Sequence, residues 1–92
     1  MSDFDLRQVP RLRPGYRLQW EPAQQAHVLL YPEGMIKLNE SAGAIASLID
    51  GQRSVAAIVA ELEARYPEAT ELADDVVQFM EVARDKFWLQ LA

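Results

Sequence analysis

The sequence predicts an α+β domain in which a three-stranded antiparallel sheet is followed by a three-helix bundle. Three observations carry this. Apolar residues alternate with polar ones from Tyr16 to Trp20, the period of a half-buried strand, and two short apolar stretches, His27 to Tyr31 and Met35 to Leu38, fold over Pro32-Glu33-Gly34. After Leu38 the spacing changes to three and four, the period of amphipathic helices. The strands are joined by short connections, which favours an antiparallel meander. At 92 residues, 50% of them hydrophobic, the chain supports one domain with a small core rather than a disordered segment.

Residues 1–15 read as an irregular N-terminal arm, punctuated by Pro10, Pro14 and Gly15, and residues 16–92 as the folded domain. In the first strand Tyr16, Leu18 and Trp20 share a face, with Arg17 and Gln19 opposite. The polar link "EPAQQA", Glu21 to Ala26, leads to a second strand over His27 to Tyr31. Tyr31-Pro32-Glu33-Gly34 suits a tight turn, because proline presets φ and glycine accepts φ > 0. Met35 to Leu38 returns as the third strand.

Asn39 or Ser41 is placed to cap the first helix, which carries Ala42, Ile45, Leu48 and Ile49 on one side and stops at Gly51. Ser54 caps a second helix with Val55, Ile58, Val59, Leu62 and Tyr66 at helical spacing, ended by Pro67. Thr70 caps a third, running to about Lys86, with Glu71, Asp74 and Asp75 at the positive end of its dipole. Leu72, Val76, Phe79, Ala83 and Phe87 form one stripe of that helix; Ala73, Val77, Met80 and Trp88 lie beside it. This arc is wider than a single core needs. Either the helix is buried on two sides, or one flank lines a groove.

Several classes of chemistry are poorly supported. There is no cysteine, which removes disulfides, thiolate metal sites and cysteine nucleophiles. His27 is the single histidine and sits in a strand pattern; no serine–histidine–acid constellation accompanies it. The four glycines are scattered at 15, 34, 43 and 51, so no phosphate loop exists. Asp74 and Asp75 point about 100° apart on a helix, which suits dipole compensation better than a metal or an acid–base pair. The expectation is a protein that is not an enzyme and has no cofactor or metal. No signal peptide or membrane-length apolar run is visible, so a cytoplasmic protein without membrane contact is expected.

The net charge of −5 is uneven. Residues 1–20 carry Arg7, Arg11, Arg13 and Arg17 against Asp3 and Asp5, whereas residues 39–92 carry ten acids against four bases. An acidic helical body is a poor partner for nucleic acid. The alternative reading, a winged-helix DNA-binding regulator with the same element count, needs a basic recognition helix. The second and third helices, "SVAAIVAELEARYPE" and "ELADDVVQFMEVARDK", offer acids and apolar residues instead.

A binding module remains. In a sequential meander the third strand is an edge, and a free edge is either blunted or used. Lys37 in mid-strand serves as a gatekeeper in the first case. In the second, an extended peptide adds as a further strand. A second copy of the chain is able to pair there too, which leaves a homodimer or an oligomerisation module open.

The stretches "GYRLQW", "HVLLYPEGMIKLNESAGAIASLIDG" and "RSVAAIVAELEARYP" together closely resemble the PqqD family, small proteins of pyrroloquinoline quinone biosynthesis. The resemblance spans roughly Val9 to Leu91, and the pairing of "KLNESA" with "DGQRSVAAIV" is its specific part. It implies a winged-helix-like fold and a non-catalytic peptide chaperone. Such a chaperone binds the leader region of a ribosomal precursor peptide. It also binds a radical S-adenosylmethionine enzyme that cross-links a glutamate and a tyrosine of that peptide. By this resemblance the leader adds to the third strand at Met35, Ile36, Lys37 and Leu38. It packs along the third helix at Val76, Val77, Phe79, Met80, Ala83, Arg84 and Phe87, with Lys37 and Arg84 facing acidic leader residues. Two stretches depart from the family pattern: "EPAQQA" lacks the usual Asp and Gly, and "DKFWLQLA" has Lys86-Phe87 where many relatives have a small or glycine-containing turn.

Overall fold

The computed structural model describes residues 4–92. Its elements, in chain order, are β1 (Pro10–Leu12), β2 (Arg17–Glu21), β3 (Ala26–Tyr31), β4 (Gly34–Lys37), α1 (Glu40–Ala46), α2 (Val55–Arg65), α3 (Leu72–Asp85) and β5 (Leu89–Leu91). The expected α+β order is present: a three-stranded antiparallel sheet, β2-β3-β4, followed by three helices.

The sheet is a meander with β3 in its centre, Leu29 lying opposite Leu18 on one side and Ile36 on the other. Tyr31 pairs with Gly34 across Pro32-Glu33, so the proline turn closes a two-residue hairpin. Val28 and Leu29 point to opposite faces by strand alternation, yet both are buried. The central strand is therefore covered on both sides.

The arm is not irregular throughout. Residues 1–3 lie outside the described residues, but Pro10–Leu12 forms a strand that pairs antiparallel with Leu89–Leu91, Pro10 opposite Leu91 and Leu12 opposite Leu89. Further bonds attach the arm to the body: the amides of Val55 and Ala56 donate to the carbonyls of Gln8 and Leu6, at 2.8 and 2.9 Å. Three residues are too few to display alternation, and the partner strand lies at the other end of the chain, so neither strand has a local signature. A turn at Arg13-Pro14-Gly15-Tyr16 then redirects the chain into β2. The Tyr16 amide donates to the Arg13 carbonyl at 3.0 Å and Gly15 adopts φ +90°, a geometry suited to proline followed by glycine.

Two of the three expected caps are in place. Asn39 Oδ1 accepts from the Ala42 amide at 2.8 Å, and Ser54 Oγ from the Ala57 amide at 3.1 Å. Thr70 does not cap α3; Glu71 occupies the cap position in the left-handed region at φ +63°, with no side-chain bond to the helix. The acids of the first turn, Asp74 and Asp75, remain to offset the positive end. The first helix also ends earlier than expected, at Ala46 rather than near Asp50. Ser47 Oγ donates to the Ala44 carbonyl at 2.8 Å, and the amides of Leu48 and Ile49 reach back only three residues, tightening the chain into a turn.

The main core joins Ile45 and Leu48, Val55, Ile58, Val59 and Leu62 of α2, Val76, Met80 and Ala83 of α3, and Leu89 of β5. The helices thus pack on one another and on β5, while α1 also contacts β3. Gly43 makes that contact close: a Cβ there would stand 2.9 Å from Nδ1 of His27.

Candidate functional site

Backbone geometry decides which groups of β4 are available. The Leu38 amide donates to the His27 carbonyl at 3.0 Å, which makes Leu38 and His27 a hydrogen-bonded pair. Such pairs alternate along an antiparallel ladder, so Ile36 and Gly34 also turn their backbone groups toward β3. The N–H and C=O groups of Met35 and Lys37 consequently point off the sheet. On the opposite edge the same alternation leaves Leu18 and Trp20 of β2 facing outward.

Side chains along β4 divide in the complementary way. Ile36 and Leu38 share the face of His27, on which α1 lies, and are half-buried and buried. Met35 and Lys37 lie on the other face and are exposed. The predicted edge residues are therefore brought together with distinct parts: two supply backbone groups to the open edge, two anchor the strand.

Beyond Lys37 the chain meets two adjoining hollows. One is lined by Trp20, His27, Lys37, Leu38, Glu40 and Tyr66 among others. The next shares Glu40, Ala44 and Tyr66 with it and continues between α1 and α3 past Ile45, Leu62, Thr70, Leu72 and Asp75. Leu72 and Asp75 belong to one stripe of α3, continued at helical spacing by half-buried Phe79 and exposed Val82.

The predicted wall on α3 is split by the fold. Val76, Met80 and Ala83 are 0% exposed and belong to the core. No peptide touches them while the core is closed. Phe79 and Val77 are half-buried, but two residues apart on a helix they face opposite ways. Arg84 lines a separate hollow with Phe4, Asp5, Gln8 and Glu81, beside the arm. Phe87 is 67% exposed just past the helix end, about four turns of α3 from the hollow at Leu72, so the fold sets it apart from the expected wall. Sequence reasoning did not single out Tyr66, Ala44, Asp75 or Val82 for the site, and their periodicity alone gives no sign of which hollow they face.

Two carboxyls among the described residues have depressed titration. Hydrogen bonds from the Arg7 side chain and amide hold the Asp5 carboxyl below its ordinary range, and Arg7 is raised in turn by Asp5. Backbone amides of Arg53 and Gln52 do the same for Asp50. Among the described residues no group of three or more His, Cys, Asp or Glu is placed to hold a metal ion, and no helix is long and apolar enough to cross a membrane.

An open antiparallel edge, continued by a hollow between helices, puts this chain in the class of small α+β recognition domains. The comparisons with known proteins agree. The family model for coenzyme PQQ synthesis protein D (PqqD) matches residues 26–89. The PqqA binding protein of Pseudomonas entomophila is 67% identical over 89 residues, covering 97% of this chain and 98% of that one. That of Azotobacter vinelandii is 57% identical over 91 residues, covering 99% of each. The solution structure of the PqqD truncation of Methylobacterium extorquens PqqCD, a functional and stand-alone RiPP recognition element, superposes with a TM-score of 0.75 at 31% identity. It covers 89% of this chain and 88% of that one. The chain belongs to the PqqD family.

Proposed function

We propose that this protein is a peptide-binding adaptor of pyrroloquinoline quinone biosynthesis. It takes the leader of a ribosomal precursor peptide as a fourth strand on β4 and presents that peptide to a radical S-adenosylmethionine enzyme for cross-linking of a glutamate and a tyrosine. It does no chemistry itself and works in the cytoplasm. The observation that carries the reading is the open edge at Met35 and Lys37: four backbone groups point outward on a strand whose Ile36 and Leu38 are turned to the same face as His27, which α1 covers. An added strand satisfies those groups, while side chains alternating along the peptide give specificity. The relatives named PqqA binding protein supply the guest.

The peptide site in this reading comprises Met35, Ile36, Lys37 and Leu38, extended by Ala44, Tyr66, Leu72, Asp75, Phe79 and Val82. Val76, Met80 and Ala83 support it from behind. A second copy of the chain, able to pair on the same edge, competes with the peptide rather than joining it.

Titration of the labelled protein with a synthetic leader peptide, followed by amide hydrogen exchange, tests this. The amides of Met35 and Lys37 gain protection on binding, and resonances of Tyr66 and Leu72 shift. Protection appearing at Leu18 and Trp20 instead moves the peptide to the other edge and overturns the assignment.

A further inference from the structure

Phe87 combines a strained backbone with an exposed ring. It follows α3, with Lys86 as the cap, and holds φ at +63°. The helix end is closed by two backbone bonds around it: the Trp88 amide donates to the Ala83 carbonyl at 2.9 Å and the Phe87 amide to that of Arg84 at 3.0 Å. This is the left-handed C-cap, a position that glycine fills without strain and a bulky side chain fills with it. Neither bond uses the ring. Nor does burial repay the strain, since Phe87 is 67% exposed, the most of any large hydrophobic among the described residues.

The surroundings of the ring are cationic. The Arg13 guanidinium carbon lies 5.9 Å from its centroid, a cation–π contact. The Arg13 amide donates to the Trp88 carbonyl at 3.0 Å, which fixes that residue beside the turn. Lys86 precedes Phe87 in sequence, while Arg84, one helical turn back, is paired with Asp85 at 3.7 Å. Arg13 and Lys86 have no carboxylate partner among the described residues. An exposed aromatic in contact with one carboxylate-free cation and next in sequence to another stands out on a chain of net charge −5. Leu72 and Phe87 are separated by about 20 Å along the axis of α3, so this patch is clear of the hollow between α1 and α3.

We infer that Phe87, with Arg13 and Lys86, is the anchor for a carboxylate-rich protein surface bearing an apolar pocket, and that this surface belongs to the enzyme receiving the peptide. The inference rests on the adaptor reading above, because an adaptor needs a second surface that stays free while the guest is bound. Charge complementarity speeds the encounter, and the ring supplies the desolvated contact that slows release.

Phe87→Gly is the discriminating variant, because it removes the ring while relieving the backbone. Affinity for the purified radical enzyme, affinity for the leader peptide and thermal unfolding are measured for wild type, Phe87→Gly and Arg13→Gln. Phe87→Gly raises the melting temperature by about 2–6 °C, as expected when strain at φ > 0 is released. It leaves peptide affinity within about two-fold and weakens enzyme binding about ten-fold or more, as loss of an aromatic anchor does. Arg13→Gln weakens enzyme binding several-fold and flattens its salt dependence.

Enzyme affinity unchanged in Phe87→Gly overturns the assignment. So does a loss of peptide affinity in its place, or a lowered melting temperature, which makes the ring a clamp for the arm. Self-association that depends on Phe87 overturns it in favour of a second copy. If the wild-type chain itself binds no enzyme, the adaptor reading fails and the assignment goes with it.

Discussion

Gly43 of α1 and His27 of β3 approach so closely that a Cβ on Gly43 would meet Nδ1 of His27 at 2.9 Å and its Cβ at 3.3 Å. This close approach seats the first helix on the sheet beside the strand pair that carries the open edge. Glycine within a helix ordinarily costs about 1 kcal/mol relative to alanine, so Gly43→Ala would stabilise a free helix. Here the imidazole can turn aside but the His27 Cβ, fixed to the strand backbone, cannot, and overpacking costs about 1–3 kcal/mol. Gly43→Ala is expected to lower stability by about 1 kcal/mol net, a fall of about 4–8 °C in melting temperature for a domain of this size. A raised melting temperature would show that α1 shifts freely on the sheet.

The alternation along β4 makes proline a selective probe of the edge. Lys37 turns its N–H outward, so Lys37→Pro removes no bond of the β3–β4 ladder. It does remove a donor that an incoming strand would use. The variant is expected to keep its circular dichroism and to bind leader peptide about ten-fold or more weakly, as loss of a backbone bond and the added bulk at the edge require. Ile36→Pro, one residue away, deletes a ladder donor and is expected to lower the melting temperature markedly. Equal effects of the two on stability would show that the register is different.

Much of the sheet is legible because its signals are local. Strand patterning and the Pro32-Glu33 turn place β2, β3 and β4 within a residue of their observed bounds; Ser54 announces its cap, while the first cap is narrowed only to Asn39 or Ser41. The short β1–β5 pair has no such signal, since its order comes from contact between the two ends of the chain. Site residues follow the same division. The edge at Met35 and Lys37 follows from strand order and period. The α3 wall does not, because helical spacing marks Val76, Met80 and Ala83 as apolar without saying what covers them. The core takes that face, the arm lies along the side of Arg84, and the stripe that begins at Leu72 and Asp75 lines the hollow toward α1. The arc is wide because α3 is covered on two sides.

Met80→Glu separates a wall residue from a core residue. Met80 is 0% exposed and packs in the main cluster, so a glutamate there is buried without a partner. The expected cost is about 3 kcal/mol or more, against about 5–14 kcal/mol for the whole of a domain this long. Denaturant unfolding should show a much lower midpoint, with peptide affinity falling as the folded fraction falls. A variant that unfolds at the wild-type midpoint but fails to bind would return Met80 to the peptide surface.

Asp50 links the loop before α2 to pH. Its Oδ1 accepts from the amides of Gln52 and Arg53, both at 2.9 Å, and these backbone donors, Arg53 foremost, hold the carboxyl below its ordinary range. In the unfolded chain those donors are gone and Asp50 takes up its proton at a higher pH. Protonation therefore favours unfolding: the contribution is fully present above the ordinary carboxylate value and is lost as pH falls through the depressed folded value. Asp50→Ala should lower the melting temperature at neutral pH, and the wild-type and variant curves should converge as the solution is acidified. A deficit that stays constant through the acid range would mean that the carboxyl acts only as a neutral acceptor. Because Asp50 and Arg53 flank Gly51, whose carbonyl accepts from Arg11 Nη2 at 3.4 Å, the same acidification is expected to loosen the arm at Arg11 before the helices unfold. Amide exchange at Gln52 and Arg53 that accelerates ahead of Ile58 on acidification checks that order.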